Sequence, residues 1–193
     1  MSALDLKTEL DWIERAQRGS VDAFEQLVTY YQDRLYRFLL VRTAHRADAE
    51  DILQDTFVAA FKYLQAYRPK YRFSTWLFAI AIRQLGRRRR PRPDAGDMPA
   101  SLACGQAGPE QLGIELEQRR SLWQTARSCL GKSQFTALWL FYVEDMPIRE
   151  IAKIMKRPDG WVKVNLLRAR RRLSVELRNH RAEPGVSCEE FIL

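Results

Sequence analysis

A chain of 193 residues holds one large domain or two small ones, and with 46% hydrophobic and 29% charged residues it has the composition of a folded, soluble protein. Its 32 bases against 24 acids leave a net charge of +8, which favours a polyanionic partner. Cys104, Cys129, Cys188, His45 and His180 are too scattered for a disulfide framework or a zinc module, and the longest apolar runs, 76–82 and 137–143, are too short to cross a bilayer. No metal or other cofactor is expected. The opening Met1-Ser2-Ala3-Leu4-Asp5 lacks a basic leader region, so the expected setting is a reduced cytoplasm.

In chain order, Ser20 is placed to cap a first helix with Asp22 in its first turn. Phe24, Leu27, Val28, Tyr31, Leu35, Phe38 and Leu39 follow at spacings of three and four. A second helix is expected from Asp48 as N-cap, with Ile52, Thr56, Phe57, Ala60, Phe61 and Leu64 as its buried stripe and Pro69 as its stop. A third starts at Ser74, carries Trp76, Leu77, Ile80 and Ala81 inward and ends in an arginine run. Proline and glycine then break any period over 91–109, which reads as a linker. Beyond it, 112–129, 134–143, 148–155 and 159–178 read as helices and nothing reads as a sheet. The expected fold is all-α, with two small helical domains joined by a flexible linker and a helix-turn-helix in the second.

Charge follows the same division. Residues 1–56 carry 7 bases and 11 acids, 57–93 carry 10 bases and no acid, and 147–193 carry 11 bases and 6 acids. Two separate basic centres point to two contacts with nucleic acid.

In the first centre, aromatics and bases interleave: Tyr63, Tyr67, Arg68, Lys70, Tyr71, Arg72, Phe73, Trp76, Phe78, Arg83, then Arg87, Arg88, Arg89 and Arg90. Duplex DNA exposes no base faces, whereas a separated strand does, so aromatic platforms beside phosphate-binding cations suit a protein that holds unpaired bases. Trp76 has core spacing with Leu77 and Ile80. Tyr67, Tyr71 and Phe73 flank Pro69 in an expected loop and are the better contact candidates. The arginine run either answers the helix dipole or, as four consecutive charges fit better, meets phosphate.

In the second centre, Ile148, Ile151, Ala152 and Met155 fall at i, i+3, i+4 and i+7, the break Lys156-Arg157-Pro158 follows, and Asp159 is placed to cap the next helix. That helix buries Val162, Leu166, Ala169 and Leu173, leaving Trp161, Lys163, Val164, Asn165, Arg168, Arg171 and Arg172 outward. Groups able to read base edges are mixed with groups that neutralise phosphate, as a helix in a major groove requires. Between the two centres in character lies an acidic stripe. Asp48, Asp51 and Asp55 recur at i, i+3 and i+7 with Glu50 and Gln54 alongside. It repels DNA, and either complements a basic protein partner or simply favours a helix N-terminus.

The order of these parts carries a family likeness. Ala47-Asp48-Ala49-Glu50-Asp51-Ile52-Leu53-Gln54-Asp55-Thr56-Phe57, then Tyr67-Arg68-Pro69 and Phe73-Ser74-Thr75-Trp76-Leu77-Phe78-Ala79-Ile80-Ala81, resembles the extracytoplasmic-function (ECF, group IV) sigma factors of bacterial RNA polymerase, within the sigma-70 family. Glu150-Ile151-Ala152, Pro158-Asp159-Gly160 and Arg168-Ala169-Arg170 are similar to that family's second domain.

The resemblance implies a non-enzymatic protein that binds core polymerase, recognises −35 and −10 promoter elements and promotes melting, under an anti-sigma factor. By this likeness Asp48, Glu50, Asp51, Gln54 and Asp55 dock on the polymerase clamp coiled coil. The loop 66–74, with Tyr67, Arg68, Lys70, Tyr71, Arg72 and Phe73, captures an unpaired −10 base. Trp76, Arg83, Arg87, Arg88, Arg89 and Arg90 support strand separation, and Trp161, Lys163, Val164, Asn165, Arg168, Arg171 and Arg172 serve the −35 element. The implied partners are core polymerase, through clamp and flap, promoter DNA and an anti-sigma factor, with no small-molecule substrate and no membrane insertion. The implied domains are 1–92 (region 2-like), a linker at 93–111, 112–180 (region 4-like) and a tail at 181–193.

The chain departs from the family pattern at Arg83, where Asn is common, at Gly86, where the helix is expected to be clipped, at Trp161 for a usual Thr, and at Val164-Asn165 for a common Ser-Arg. Met146-Pro147 stands where a Ser or Thr cap is common. The family's usual −10 and −35 sequences are therefore not assumed for this chain. The rival reading is a helix-turn-helix regulator that acts without replacing sigma, which explains the second basic centre but not the first. A nuclease-like enzyme lacks an acid/base or metal cluster in the sequence.

Overall fold

Nearly all the apolar periodicity becomes helix. The computed structural model describes residues 5–43, 45–87 and 122–181. Its elements are α1 (Leu6–Gln17), α2 (Val21–Arg42), α3 (Arg46–Tyr63), a 3₁₀ turn (Leu64–Ala66), α4 (Phe73–Arg87), α5 (helical over residues 122–129), α6 (Lys132–Tyr142), α7 (Ile148–Met155) and α8 (Asp159–Arg181). There is no strand among the described residues, and the chain is all-α. It divides into two compact units, the first around α1 to α4 and the second around α5 to α8. Arg88, Arg89, Arg90, the expected linker, Cys104, Cys188 and the tail beyond residue 181 lie outside the described residues.

In the first unit, Gly19 takes a φ of 100° to turn the chain from α1 into α2, and the Ser20 hydroxyl oxygen accepts the Ala23 N–H at 3.3 Å as an N-cap. Leu27, Leu35, Phe38 and Leu39 of α2 meet Ile52 and Ala60 of α3 and Leu77, Phe78 and Ala81 of α4 in one core, with Phe38 edge-on to Phe78 at 5.3 Å. Thr56 is also buried, and its hydroxyl is satisfied by the Ile52 carbonyl at 2.6 Å.

Several expected details are corrected. The stripe of α3 is Ala49, Ile52, Thr56 and Ala60; Phe57 is half-buried and Phe61 is exposed. At 100° per residue, 57 and 61 fall to the side of 52, 56 and 60, so Phe61 reaches only the edge of the core, against Phe24 at 5.0 Å. The helix starts at Arg46 with His45 as N-cap, before Asp48, and ends at Tyr63, well before Pro69. α4 starts at Phe73 and includes Gly86, and its described part ends at Arg87.

α1 was not expected from the sequence, because its buried face carries a charge: Glu9, Ile13 and Ala16 all point inward. The Tyr31 hydroxyl donates to the Glu9 carboxylate in that interior. Burial, and after it the carboxylate, pushes the Tyr31 phenol far above its ordinary range, so it stays a donor.

In the second unit, Trp123 of α5 packs against Trp139 at 4.8 Å and Phe135 at 5.8 Å on α6. Residues 135–140 are all buried, and Val162, Leu166 and Ala169 bring α8 onto the same core. Buried Glu144 accepts from the Trp139 indole N–H at 3.3 Å. Burial also pushes the Cys129 thiol up, so it sits protonated in this core.

The α7–α8 turn is closed by backbone. The Lys156 N–H reaches the Lys153 carbonyl at 3.2 Å and the Arg157 N–H reaches the Ala152 carbonyl at 3.0 Å. This Schellman arrangement puts Lys156 at a φ of 52°, where glycine is usual. Pro158, not Asp159, is the cap: its carbonyl accepts from Trp161 and Val162 at 3.0 and 3.2 Å, and Pro147 does the same for Glu150 and Ile151 at 2.9 and 3.2 Å. Replacing Lys156 with Gly removes the left-handed strain and is expected to stabilise the α7–α8 turn by about 1 kcal/mol. Chemical denaturation followed through the Trp123 and Trp139 environment checks this, and a loss of stability refutes it.

Candidate protein and nucleic-acid interfaces

The helical period places the acidic residues of α3 opposite its core stripe. Glu50, Asp51, Gln54 and Asp55 are exposed and Asp48 is half-buried at the margin. The Glu50 carboxylate accepts from Arg46 Nε at 2.8 Å and from the Tyr36 hydroxyl at 3.2 Å. Those bonds, Arg46 first, hold its carboxyl below the usual range. Tyr36 and Arg46 were not read from the sequence as part of this face. Nor was Val58, which follows Asp51 and Asp55 at i+7 and i+3 and is 63% exposed. Apolar surface thus continues the acidic stripe toward exposed Phe61.

The loop from 3₁₀ turn to α4 is organised by an aromatic cluster beneath it. Tyr67 and Phe73 are only 4% and 1% exposed, their rings 5.4 Å apart, and each lies 5.4 Å from Trp76. The Tyr67 hydroxyl donates to the Tyr71 carbonyl at 2.8 Å, and Gln17 of α1 donates to the carbonyls of Leu64 and Tyr67 at 2.9 and 3.2 Å. Tyr67 and Phe73 are therefore corrected from contact residues to supports. Buried in this edge-on and tilted cluster, neither ring has an exposed face to offer a base.

What the loop presents is Arg68, Lys70 and Arg72, all exposed, and half-buried Tyr71. Arg68 is itself braced, donating to the carbonyls of Gln65 and Tyr67 at 2.7 and 3.0 Å. Trp76, Arg83 and Arg87 recur at i, i+7 and i+11 on one side of α4, so half-buried Trp76 and two exposed guanidinium groups form a track leading from the loop. There is no acid on α4 to interrupt it.

On α8, Lys163, Arg168, Arg171 and Arg172 are exposed and Val164 is 44% exposed, while Trp161 and Asn165 are half-buried and so less outward than expected. Leu173 is half-buried as well. Trp161, Val164, Arg168 and Arg171 form one stripe at i, i+3, i+7 and i+10, and Lys163 lies on a flank with Leu167 and Arg170. Asn165 donates to the Trp161 carbonyl at 2.9 Å. Arg157, which the sequence reading left in the turn, lies over the Trp161 ring at 5.3 Å. Among the described residues no group of His, Cys, Asp and Glu could hold a metal ion, and no helix is long and apolar enough to cross a membrane.

Two helical units, one with an acid-faced helix beside a basic aromatic track and the other with a helix-turn-helix, define a two-region transcription protein. The family description Sigma-70 region 2 matches residues 27–92, and Sigma-70, region 4 matches residues 123–173. The chain is 34% identical over 181 residues to the RNA polymerase sigma-H factor of Pseudomonas aeruginosa, covering 86% of this chain and 92% of that one. It is 31% identical over 170 residues to the ECF RNA polymerase sigma-E factor of Escherichia coli K12, covering 82% and 88%, and 28% identical over 179 residues to the ECF RNA polymerase sigma factor SigW of Bacillus subtilis, covering 86% and 95%. Among solved structures, CnrH in complex with the cytosolic domain of CnrY shares the fold at a TM-score of 0.66, with 24% identity and coverage of 89% and 98%. The sigma factor RpoE with the anti-sigma factor NepR from Bartonella quintana shares it at 0.62, with 22% identity and coverage of 82% and 98%. The chain belongs to the extracytoplasmic-function family of RNA polymerase sigma factors. Its role is in transcription initiation.

Proposed function

We propose that the first unit, assigned to residues 1–92, docks on the polymerase clamp through Asp48, Asp51, Gln54 and Asp55 of α3 and holds melted −10 DNA on the α4 side. The separation of charge supports this most directly: acids and Val58 on one helix, Lys70, Tyr71 and Arg72 in the loop before the next and Trp76, Arg83 and Arg87 along it, with no acid between Thr56 and Arg87. Tyr71 and the outer part of Trp76 supply the stacking surface, and the cations follow the strand backbone. Arg88, Arg89 and Arg90 extend that role along the sequence.

The second unit, assigned to 112–180, lays α8 in the major groove of the −35 element, with the 93–111 segment as connector and the 181–193 tail outside both. The protein acts in the cytoplasm and performs no chemistry; nucleotidyl transfer belongs to the polymerase. The similar structures hold the cytosolic domain of CnrY and the anti-sigma factor NepR, and an anti-sigma factor is the regulator assigned here.

Run-off transcription tests the reading. Core polymerase with this chain initiates from a cognate promoter where core alone does not; unchanged core-only transcription refutes it and favours a helix-turn-helix regulator. Arg168→Ala is expected to weaken duplex recognition by about 1 to 3 kcal/mol with altered base preference if the side chain reads a base. Gel-shift titration of the holoenzyme against promoter variants measures it, and wild-type affinity on all of them removes Arg168 from the interface.

A further inference from the structure

Resting on α8 as the duplex-reading helix, we propose that Arg157, outside that helix, reads a guanine at one edge of the −35 element, with Trp161 as its platform. Arg157 is fixed at both levels. Its backbone N–H is held by the Ala152 carbonyl at 3.0 Å, the next residue is Pro158, and its guanidinium lies over the Trp161 ring at 5.3 Å. Trp161 is held in turn, its N–H on the Pro158 carbonyl and its carbonyl accepting from Asn165 at 2.9 Å.

Cation–π attraction to the indole uses the guanidinium's charge and does not consume its N–H donors, which remain for a hydrogen-bond acceptor. The fork is pre-organised, so little freedom is lost when it binds. Its contact with Trp161, the first residue of the stripe Trp161, Val164, Arg168 and Arg171, places the Arg157 guanidinium at the N-terminal end of that stripe. The first residues of a reading helix are those that face base edges, and a planar fork matches guanine O6 and N7. The Asn165 amide, turned back onto the Trp161 carbonyl, has one donor fewer for the same region.

The test is initiation by the holoenzyme of core polymerase and full-length chain on promoters randomised across the upstream element. The wild type is expected to select guanine at one edge position. Arg157→Ala removes that preference and lowers initiation from guanine-bearing promoters about tenfold, leaving other positions unchanged. Arg157→Lys fails to restore it, since an ammonium has charge but no fork, and Trp161→Ala weakens the same position. The proposal is overturned if Arg157→Lys restores the wild-type preference or Arg157→Ala depresses all promoters evenly, either of which marks a phosphate contact, or if Arg157→Ala changes nothing. Arg168→Ala is the control: altered selection there with none at Arg157 sinks this proposal alone, and no change in either sinks α8 as the reading helix.

Discussion

Arginine at both Asp51 and Asp55 is expected to abolish binding to core polymerase while the chain keeps its helices. Both carboxylates are exposed on the side of α3 opposite Ile52, Thr56 and Ala60, so neither substitution disturbs the buried stripe. Each replaces a negative charge with a positive one on a surface proposed to meet a basic partner. Like charges brought together across an interface cost several kcal/mol, enough to remove measurable association from a docking site of ordinary affinity. Glu50→Gln is expected to do much less, because it removes one negative charge without placing a positive one on that surface. Pull-down with core polymerase, alongside circular dichroism, measures both; normal capture of the double variant removes α3 as the docking helix.

The second large effect separates two neighbours that look alike in sequence. Phe73→Ala is expected to destabilise the first unit by about 3 to 5 kcal/mol, because its ring is buried among Tyr31, Tyr67 and Trp76 and a cavity replaces it. Tyr71→Ala is expected to leave stability within about 0.5 kcal/mol, since Tyr71 is half-buried and the bond from Tyr67 falls on its backbone carbonyl. Its loss is seen instead in melting, as a reduced fraction of unpaired promoter thymines reactive to permanganate. Denaturant unfolding and permanganate footprinting of the two variants give opposite patterns on this account. A stable Phe73→Ala chain that fails to melt DNA would return Phe73 to the contact set.

These neighbours show where legibility stops. Alternation of bases and aromatics over 63–90 marked a nucleic-acid segment, but period alone cannot say which rings face a ligand and which face one another. That depended on Gln17, whose bonds to Leu64 and Tyr67 span some fifty residues of sequence and leave no local trace. α1 was missed for a related reason. Glu9 occupies a core position, which spoils the apolar period, and the Tyr31 hydroxyl from α2, far along the chain, answers that burial.

Local periodicity and charge order determined by themselves that the chain is helical, that a helix-turn-helix ends in α8, that an acidic stripe and two basic centres fall on different segments, and that the parts stand in sigma-factor order. These properties are written in near neighbours, three and four residues apart, where side chains share a helix face whatever the rest of the chain does. Tertiary structure alone decided that Tyr67 and Phe73 support the loop, that Glu50 is held by Tyr36, and that the acidic stripe runs on into Val58. Each is fixed by which helix packs on which face, and a side chain's freedom to meet a partner is what remains after that packing is complete.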